Sequence, residues 1–189
     1  MESFDYFLNG IETHEYILDK IKKAKNVIYI SSWKVNLGYI LDKQLNEPLY
    51  KTLLKKCDEG VKVYILTSVT PLSETYNINM NILKTKKLNH KNFNIKILDM
   101  IDYEDGVFGI LNYIRSKFIS VKKCCKRLFH QRYFNVDNKY CLIGGSDLDD
   151  TNNCYLYKKK NDKKYYWIEY AFIFKPVKEF LEYCVRNFK

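Results

Sequence analysis

The residues of this sequence that are best suited to chemistry are His130 and Arg132, which lie two positions apart in FHQRYFNVDNKYCLIGGSDL, residues 129–148. Alternate side chains of a β-strand point to the same face of the sheet. On an extended segment the two side chains would therefore emerge side by side. A neutral imidazole can attack phosphorus, and a neighbouring guanidinium can hold the phosphoryl oxygens. The pair indicates phosphate chemistry.

Two short β-prone runs follow this pair and would position it. Tyr133–Val136 and Tyr140–Ile143 flank Asn138-Lys139, which reads as a turn. Gly144-Gly145-Ser146-Asp147 closes the second run. Two glycines and a serine let the backbone come close to a bound phosphate. The segment therefore reads as two short strands joined by a turn, and we expect the site to lie where strand ends meet the Gly144-Gly145 loop.

This stretch resembles the HKD motif of the phospholipase D superfamily, which reads His-x-Lys, four residues, Asp, six residues and then Gly-Gly or Gly-Ser. His130, Asp137 and Gly144-Gly145 match it in identity and spacing, and Arg132 stands where the family has lysine. An ordinary hairpin with one surface histidine is the alternative interpretation. Several matches at fixed spacing make that alternative the weaker one.

Earlier parts of the chain resemble the same superfamily. AKNVIYISSW (24–33) is similar to the opening of a phospholipase D half, in which a helix precedes the first core strand. CDEGVKVYILTS (57–68) and the order Asn77-Ile78-Asn79, Leu88, Asn94–Ile97 resemble eukaryotic-type members. The likeness extends over most of residues 12–98 and resumes at Phe129.

The resemblance implies a two-step phosphodiester reaction through a phosphohistidine, without a metal or other cofactor. His130 would be the nucleophile or the acid, Glu169 in Trp167-Ile168-Glu169 would fix its tautomer, and Asp137 would brace the motif. The catalytic set implied is His130, Arg132, Asp137 and Glu169, and the phosphate-binding set is Arg132, Gly145 and Ser146. The alternative interpretation of Glu169 is a side chain that faces solvent on an edge strand.

Two departures from the family pattern bear on activity. The chain has one HKD-like motif. His14 lies at a predicted helix start and His90 in a polar loop, so neither has the sequence context of a second motif. A second copy of the chain would then complete the site across a two-fold axis, or a separate half would supply the other motif. Arg132 binds phosphate, but its planar head needs a different pocket from that of lysine.

Hydrophobic periodicity predicts an α/β fold. The resemblance implies one phospholipase D half, with a mixed, mostly parallel sheet flanked by helices on both faces. Helices are predicted over Thr13–Lys25, Leu49–Glu59, Tyr76–Asn89 and Val177–Phe188, and further strands over Val27–Ser32, Val61–Leu66, Asn94–Leu98 and Tyr166–Phe174.

Residues 107–128 do not fit this pattern and predict an inserted amphipathic helix with a basic flank. An ordinary surface helix that packs its apolar stripe on the core is the first interpretation. An interfacial helix on anionic lipid, strengthened if Cys124 or Cys125 is acylated, is the second.

Composition limits the class of protein. A chain of 189 residues with 47% hydrophobic residues predicts one folded domain, residues 1–189, rather than a disordered chain. A net charge of +10 favours anionic partners, either a phospholipid surface or nucleic acid. The N-terminus does not read as a signal peptide and no apolar run reaches transmembrane length. The cysteines read as reduced thiols of a cytoplasmic protein, with any membrane contact peripheral.

Three functions remain open from the sequence. The first is a phospholipase D-like phosphodiesterase that acts on phospholipid as a homodimer or with a second half. The second is a catalytically weakened domain that binds membranes or phosphates. The third is a nuclease-type member of the superfamily, for which the basic charge is the argument. The likeness of residues 61–98 to eukaryotic-type lipases favours lipid over nucleic acid.

Overall fold

A computed structural model describes residues 5–7, 10–69, 74–85, 88–99, 132–144, 147–148, 171–174 and 178–186. Its helices are α1 (Gly10–Lys23), α2 (Leu49–Asp58), α3 (Glu74–Thr85) and α4 (Lys178–Arg186). Its strands are β1 (Asp5–Phe7), β2 (Val27–Ser32), β3 (Ile40–Asp42), β4 (Glu47–Pro48), β5 (Lys62–Val69), β6 (Phe93–Asp99), β7 (Tyr133–Val136), β8 (Tyr140–Gly144) and β9 (Ala171–Phe174).

Seven of the described strands form one sheet in the order β1-β9-β8-β7-β2-β5-β6. The predicted mixed α/β sheet flanked by helices is confirmed. Strands β2, β5 and β6 are parallel, and the other four neighbouring pairs are antiparallel. The parallel part of the sheet, which consists of these three strands, is thus smaller than the prediction of a mostly parallel sheet implies. Helices α2 and α3 connect the parallel strands, whereas a tight turn connects β7 to β8, and a tight turn permits only antiparallel pairing.

The core lies between the sheet and the first two helices. In β2 and β5 the alternate residues Ile28, Ile30, Val63 and Ile65 are at most 1% exposed. They pack with Ile17 and Ile21 of α1 and with Leu49 and Leu53 of α2. Burial of each such side chain contributes roughly 1.5–3 kcal/mol. This packing makes β2 a rigid interior strand of the sheet, and β7 pairs with it antiparallel.

The β7–β8 hairpin joins the two short runs that the sequence predicts as strands. Tyr133 pairs with Ile143 and Val136 with Tyr140. Asp137 and Asn138 both have positive φ, 53° and 55°, and the Lys139 N–H donates to the Val136 carbonyl at 3.0 Å. Positive φ at two successive residues is the left-handed conformation that a type I′ turn requires, and Asp and Asn tolerate it best after glycine. The turn fixes which residues meet at the far end of the hairpin.

Most predicted elements are present with ends shifted by a few residues, as in α1, which begins at Gly10 rather than Thr13. The short strands β1, β3 and β4 were not predicted, because two or three residues carry no periodicity. Residues 107–128 and the first half of the strand predicted at 166–174 lie outside the described residues. The side chains of Cys57 and Cys141 are buried, and burial raises the pKa of Cys57 to about 11. Within the described ranges, no helix combines the length and apolarity that a membrane span requires.

Candidate functional site

The candidate site lies at the sheet edge where β2 and β5 end and where β7 begins. Arg132 immediately precedes β7, and its carbonyl accepts a hydrogen bond from the Gly144 N–H at 3.4 Å, at the end of β8. The chain then reaches Asp147 and Leu148, and Leu148 forms a parallel bridge with Val35, just beyond β2. Ligand sites of open α/β sheets commonly lie outside the carboxyl ends of the parallel strands.

Arg132 and Asp147 form a two-point ion pair at this edge. Nε of Arg132 donates to Oδ1 of Asp147 at 2.8 Å, and Nη2 donates to Oδ2 at 2.9 Å. Parallel guanidinium–carboxylate bonds of this kind fix orientation as well as charge. The Asp147 side chain is 4% exposed and that of Arg132 is 18% exposed. The carboxylate is therefore the inner partner and the guanidinium the outer one.

Two further donors hold the Asp147 carboxylate. The Ser32 hydroxyl donates to Oδ1 at 2.5 Å and the Lys34 N–H donates to the same atom at 3.1 Å. Burial raises the pKa of Asp147, but the hydrogen bonds from Arg132 and Ser32 outweigh it and leave the pKa below its usual value. Asp147 is therefore ionised at neutral pH.

The loop after β2 is fastened from both sides. The Asn36 N–H donates to the Leu148 carbonyl at 2.8 Å, and the Leu148 N–H donates to the Lys34 carbonyl at 3.1 Å. On the other side Asn79 of α3, which is fully buried, accepts from the Leu37 N–H at 2.9 Å and donates to the Val35 carbonyl at 2.7 Å. Because both sides are hydrogen-bonded, the loop presents Ser32 and the Lys34 N–H to Asp147 in a fixed geometry.

His14 of α1 lies behind this edge rather than on it. It is 4% exposed, its Nε2 is 3.0 Å from the Asp147 carbonyl, and its Nδ1 is 2.9 Å from the Tyr39 hydroxyl. A carbonyl only accepts, so Nε2 carries a proton, and in the neutral imidazole Nδ1 then accepts from Tyr39. His14 thus supports the backbone of Asp147.

Asp137 lies at the opposite end of β7 from Arg132. Its carboxylate accepts the backbone N–H groups of Lys25, Asn26 and Val27 at 2.9, 2.7 and 2.9 Å. Burial raises the pKa of Asp137, but these three donors outweigh it and lower the pKa overall. This position suits the bracing role that the motif implied, because Asp137 ties the hairpin turn to the start of β2.

The structure thus places two of the predicted site residues, Arg132 and Asp137, at opposite ends of one strand. His130, Gly145, Ser146 and Glu169 lie outside the described residues. Sequence reasoning did not single out Asp147, Ser32 or His14. If residues are counted in pairs outward from the hairpin turn, Gly144 lies opposite Arg132, so Asp147 could have been predicted to lie near Arg132. No local sequence signal marks His14 as part of the site.

The edge combines a guanidinium and a hydroxyl, each within hydrogen-bond distance of the same carboxylate. A guanidinium binds phosphoryl oxygens, but here the carboxylate already neutralises it. The described residues hold no cluster of His, Cys, Asp or Glu that could hold a metal ion. Any anion held here would therefore share Arg132 with Asp147.

No protein-family model matches the chain, and no curated protein sequence matches it. Several solved structures do. The chain aligns with NucT from Helicobacter pylori at TM-score 0.58 and 10% identity, covering 97% of this chain and 94% of that one. It aligns with Nuc from Salmonella typhimurium, a phospholipase D family member, at TM-score 0.55 and 13% identity, covering 98% and 92%.

A longer protein also contains this fold. Phosphatidylserine synthase from Haemophilus influenzae Rd KW20 aligns at TM-score 0.53 and 12% identity over 98% of this chain and 37% of that one. The eukaryotic-type likeness of residues 57–97 stays a prediction. From its sheet order, its hairpin and these alignments, the chain has the fold of phospholipase D-like proteins.

Proposed function

We propose that the chain is a phospholipase D-like phosphodiesterase that acts on phospholipid through a phosphohistidine intermediate. The observation that carries the proposal is the position of Arg132, which a buried ion pair fixes at the carboxyl edge of a phospholipase D-like sheet. His130, two residues earlier, is the proposed nucleophile. Its imidazole nitrogen forms a bond to phosphorus as the bond from phosphorus to the leaving alcohol breaks. Water then cleaves the phosphorus–nitrogen bond.

The other proposed residues bind or orient these groups. Arg132, Gly145 and Ser146 hold the phosphoryl oxygens, and Glu169 fixes the tautomer of His130 as a carboxylate does in a catalytic triad. The three backbone hydrogen bonds of Asp137 support a bracing role. The reaction as proposed needs no metal or cofactor, because cationic and polar groups neutralise the transition state.

A second histidine must protonate the leaving alcohol, and we propose that a second copy of the chain supplies it. The chain covers 94% of NucT and 92% of Nuc, so chains of about this length carry the fold in those proteins. The alternative is a separate second half, as the 37% coverage of phosphatidylserine synthase allows.

Phospholipid is the proposed substrate, reached by peripheral contact of a cytoplasmic protein with a membrane. The net charge of +10 supports an anionic surface, and phosphatidylserine synthase shares the fold. Nucleic acid is the competing substrate. It is supported by the same charge and by alignment with TrmBL2, an archaeal chromatin protein described as showing a novel mode of DNA binding, at TM-score 0.50 and 13% identity over 98% of this chain and 50% of that one.

A second candidate function is phosphate or membrane binding without turnover. The observation that favours it is the neutralisation of Arg132 by Asp147, which weakens the cation available to the transition state. The two candidates differ in activity rather than in binding.

Light scattering with an activity assay on every fraction separates them. A phosphodiester lipid in anionic vesicles and plasmid DNA are the two substrates. The proposal predicts lipid hydrolysis in a dimer peak, lost in His130→Ala and kept in His90→Ala, a matched histidine that precedes β6. A monomer without hydrolysis of either substrate contradicts the enzyme proposal, and hydrolysis of DNA alone selects the nuclease.

A further inference from the structure

We propose that Asp147 is a specificity-determining residue: it competes with bound phosphate for Arg132, and so disfavours phosphate dianions relative to phosphodiester monoanions. The inference rests on the proposed function in one respect, that Arg132 is the phosphate ligand. It goes further, because it concerns a residue outside the predicted site and assigns it an effect on which class of phosphate the site accepts.

The first step is that Asp147 cannot move aside. Ser32 and the Lys34 N–H hold its Oδ1, and the peptide that follows it is tied to His14 through the Asp147 carbonyl and to the Lys34 carbonyl through the Leu148 N–H. Its side chain is 4% exposed against 18% for Arg132. A ligand therefore meets a fixed carboxylate and can displace or share only the guanidinium.

The second step is geometric. The carboxylate occupies both donors of the Nε–Nη2 side of the guanidinium, so a phosphate cannot form two parallel bonds on that side while the ion pair is intact. A phosphoryl oxygen that binds this side takes Nε or Nη2 away from Asp147. Phosphate binding on this side therefore weakens the existing ion pair between Arg132 and Asp147.

The third step is electrostatic. A phosphate on Arg132 lies close to the Asp147 carboxylate, and the repulsion between them grows in proportion to the charge of the ligand. A phosphomonoester or inorganic phosphate at pH 8 is mainly a dianion, whereas a phosphodiester is a monoanion. Because this repulsion is proportional to the charge of the ligand, the Asp147 carboxylate opposes binding of the dianion with about twice the free energy with which it opposes binding of the phosphodiester.

The test measures dissociation constants of inorganic phosphate and of dimethyl phosphate at pH 8, by nuclear magnetic resonance titration, for the wild type and Asp147→Asn. The variant keeps an oxygen acceptor for Ser32 and the Lys34 N–H but removes the charge. We expect phosphate to bind at least about tenfold more tightly in the variant. The gain for dimethyl phosphate should be smaller.

Asp58→Asn is the matched control, because it makes the same change in net charge at an exposed position at the end of α2. It should alter neither constant by more than about twofold. Unchanged or weaker phosphate binding in Asp147→Asn overturns the proposal. So does an equal gain in Asp58→Asn, or a gain that survives when Arg132→Gln is added to Asp147→Asn.

Circular dichroism verifies that each variant is folded. If Asp147→Asn is not folded, Asp147→Ser is a second neutral variant with the same expected gain in phosphate affinity. The binding data and the hydrolysis data separate the two proposals. Tighter phosphate binding with no hydrolysis in any protein supports the role of Asp147 and contradicts the enzyme. Hydrolysis that depends on His130, with no gain in Asp147→Asn, does the reverse.

Discussion

Asp147 holds Arg132 through two parallel bonds of 2.8 and 2.9 Å, although 15 positions separate the two residues in sequence. The hairpin brings them together, and Ser32 at the end of β2 joins them. Three segments of the chain thus meet in one charged cluster at the sheet edge. The properties of this cluster can be tested one residue at a time.

Removal of one partner of the ion pair should cost more than removal of both. Arg132→Met leaves the buried Asp147 carboxylate without its main counter-charge, so we expect the free energy of unfolding to fall by about 3–5 kcal/mol. Arg132→Met combined with Asp147→Leu removes both charges and should lose less than the sum of the single variants. Urea unfolding of the four proteins of this cycle measures the coupling. Additive effects would show that the pair contributes no coupling energy.

Arg132→Lys should raise the rate of phosphodiester hydrolysis while it lowers stability. A lysine ammonium makes a single contact with Asp147 where arginine makes two, so we expect a loss of about 1 kcal/mol in unfolding free energy. The compact ammonium is more easily shared with a phosphoryl oxygen, which favours turnover. Initial rates on vesicles with saturating lipid provide the measurement. An unchanged or lower rate would mean that the arginine at position 132 does not limit turnover.

His14 should matter through the proton on Nε2. His14→Phe removes the donor to the Asp147 carbonyl and the acceptor for Tyr39, so we expect a loss of about 1–3 kcal/mol in unfolding free energy. His14→Gln carries an amide N–H at a similar distance along the side chain and should recover part of it. Thermal unfolding monitored by circular dichroism compares the two variants. Equal stability of both would assign His14 to packing alone.

Asp137 should make the fold less stable in acid. Because its pKa lies below the ordinary value of 3.8, its ionised form stabilises the fold above that value, and this contribution is lost as the pH falls through the lowered pKa. Asp137→Asn should therefore be less stable than the wild type at pH 7, by about 1–3 kcal/mol, and the difference should shrink as the pH falls below the ordinary pKa of 3.8. Urea unfolding at a series of pH values measures it, with Asp58→Asn as the control. A difference that stays constant with pH would contradict this assignment.

The sequence by itself determined the parts of this protein that depend on local patterns. The apolar, β-branched runs VIYISS and VKVYIL predicted β2 and β5, and the periodicity of Leu49, Leu53 and Leu54 predicted α2. Two short β-prone runs on either side of Asn138-Lys139 predicted β7 and β8. The mixed α/β class followed from these elements.

Only the tertiary structure decided how the charges of the candidate site are paired. Nothing near Arg132 in sequence shows that Asp147 neutralises it, since the contact needs β8, the loop after β2 and the bridge between Val35 and Leu148. Likewise His14 read as a residue at a helix start, and only the packing of α1 brings it to the Asp147 carbonyl. Periodicity reports which face of an element is buried, whereas the partner of a buried charge is set by contacts between segments distant in sequence.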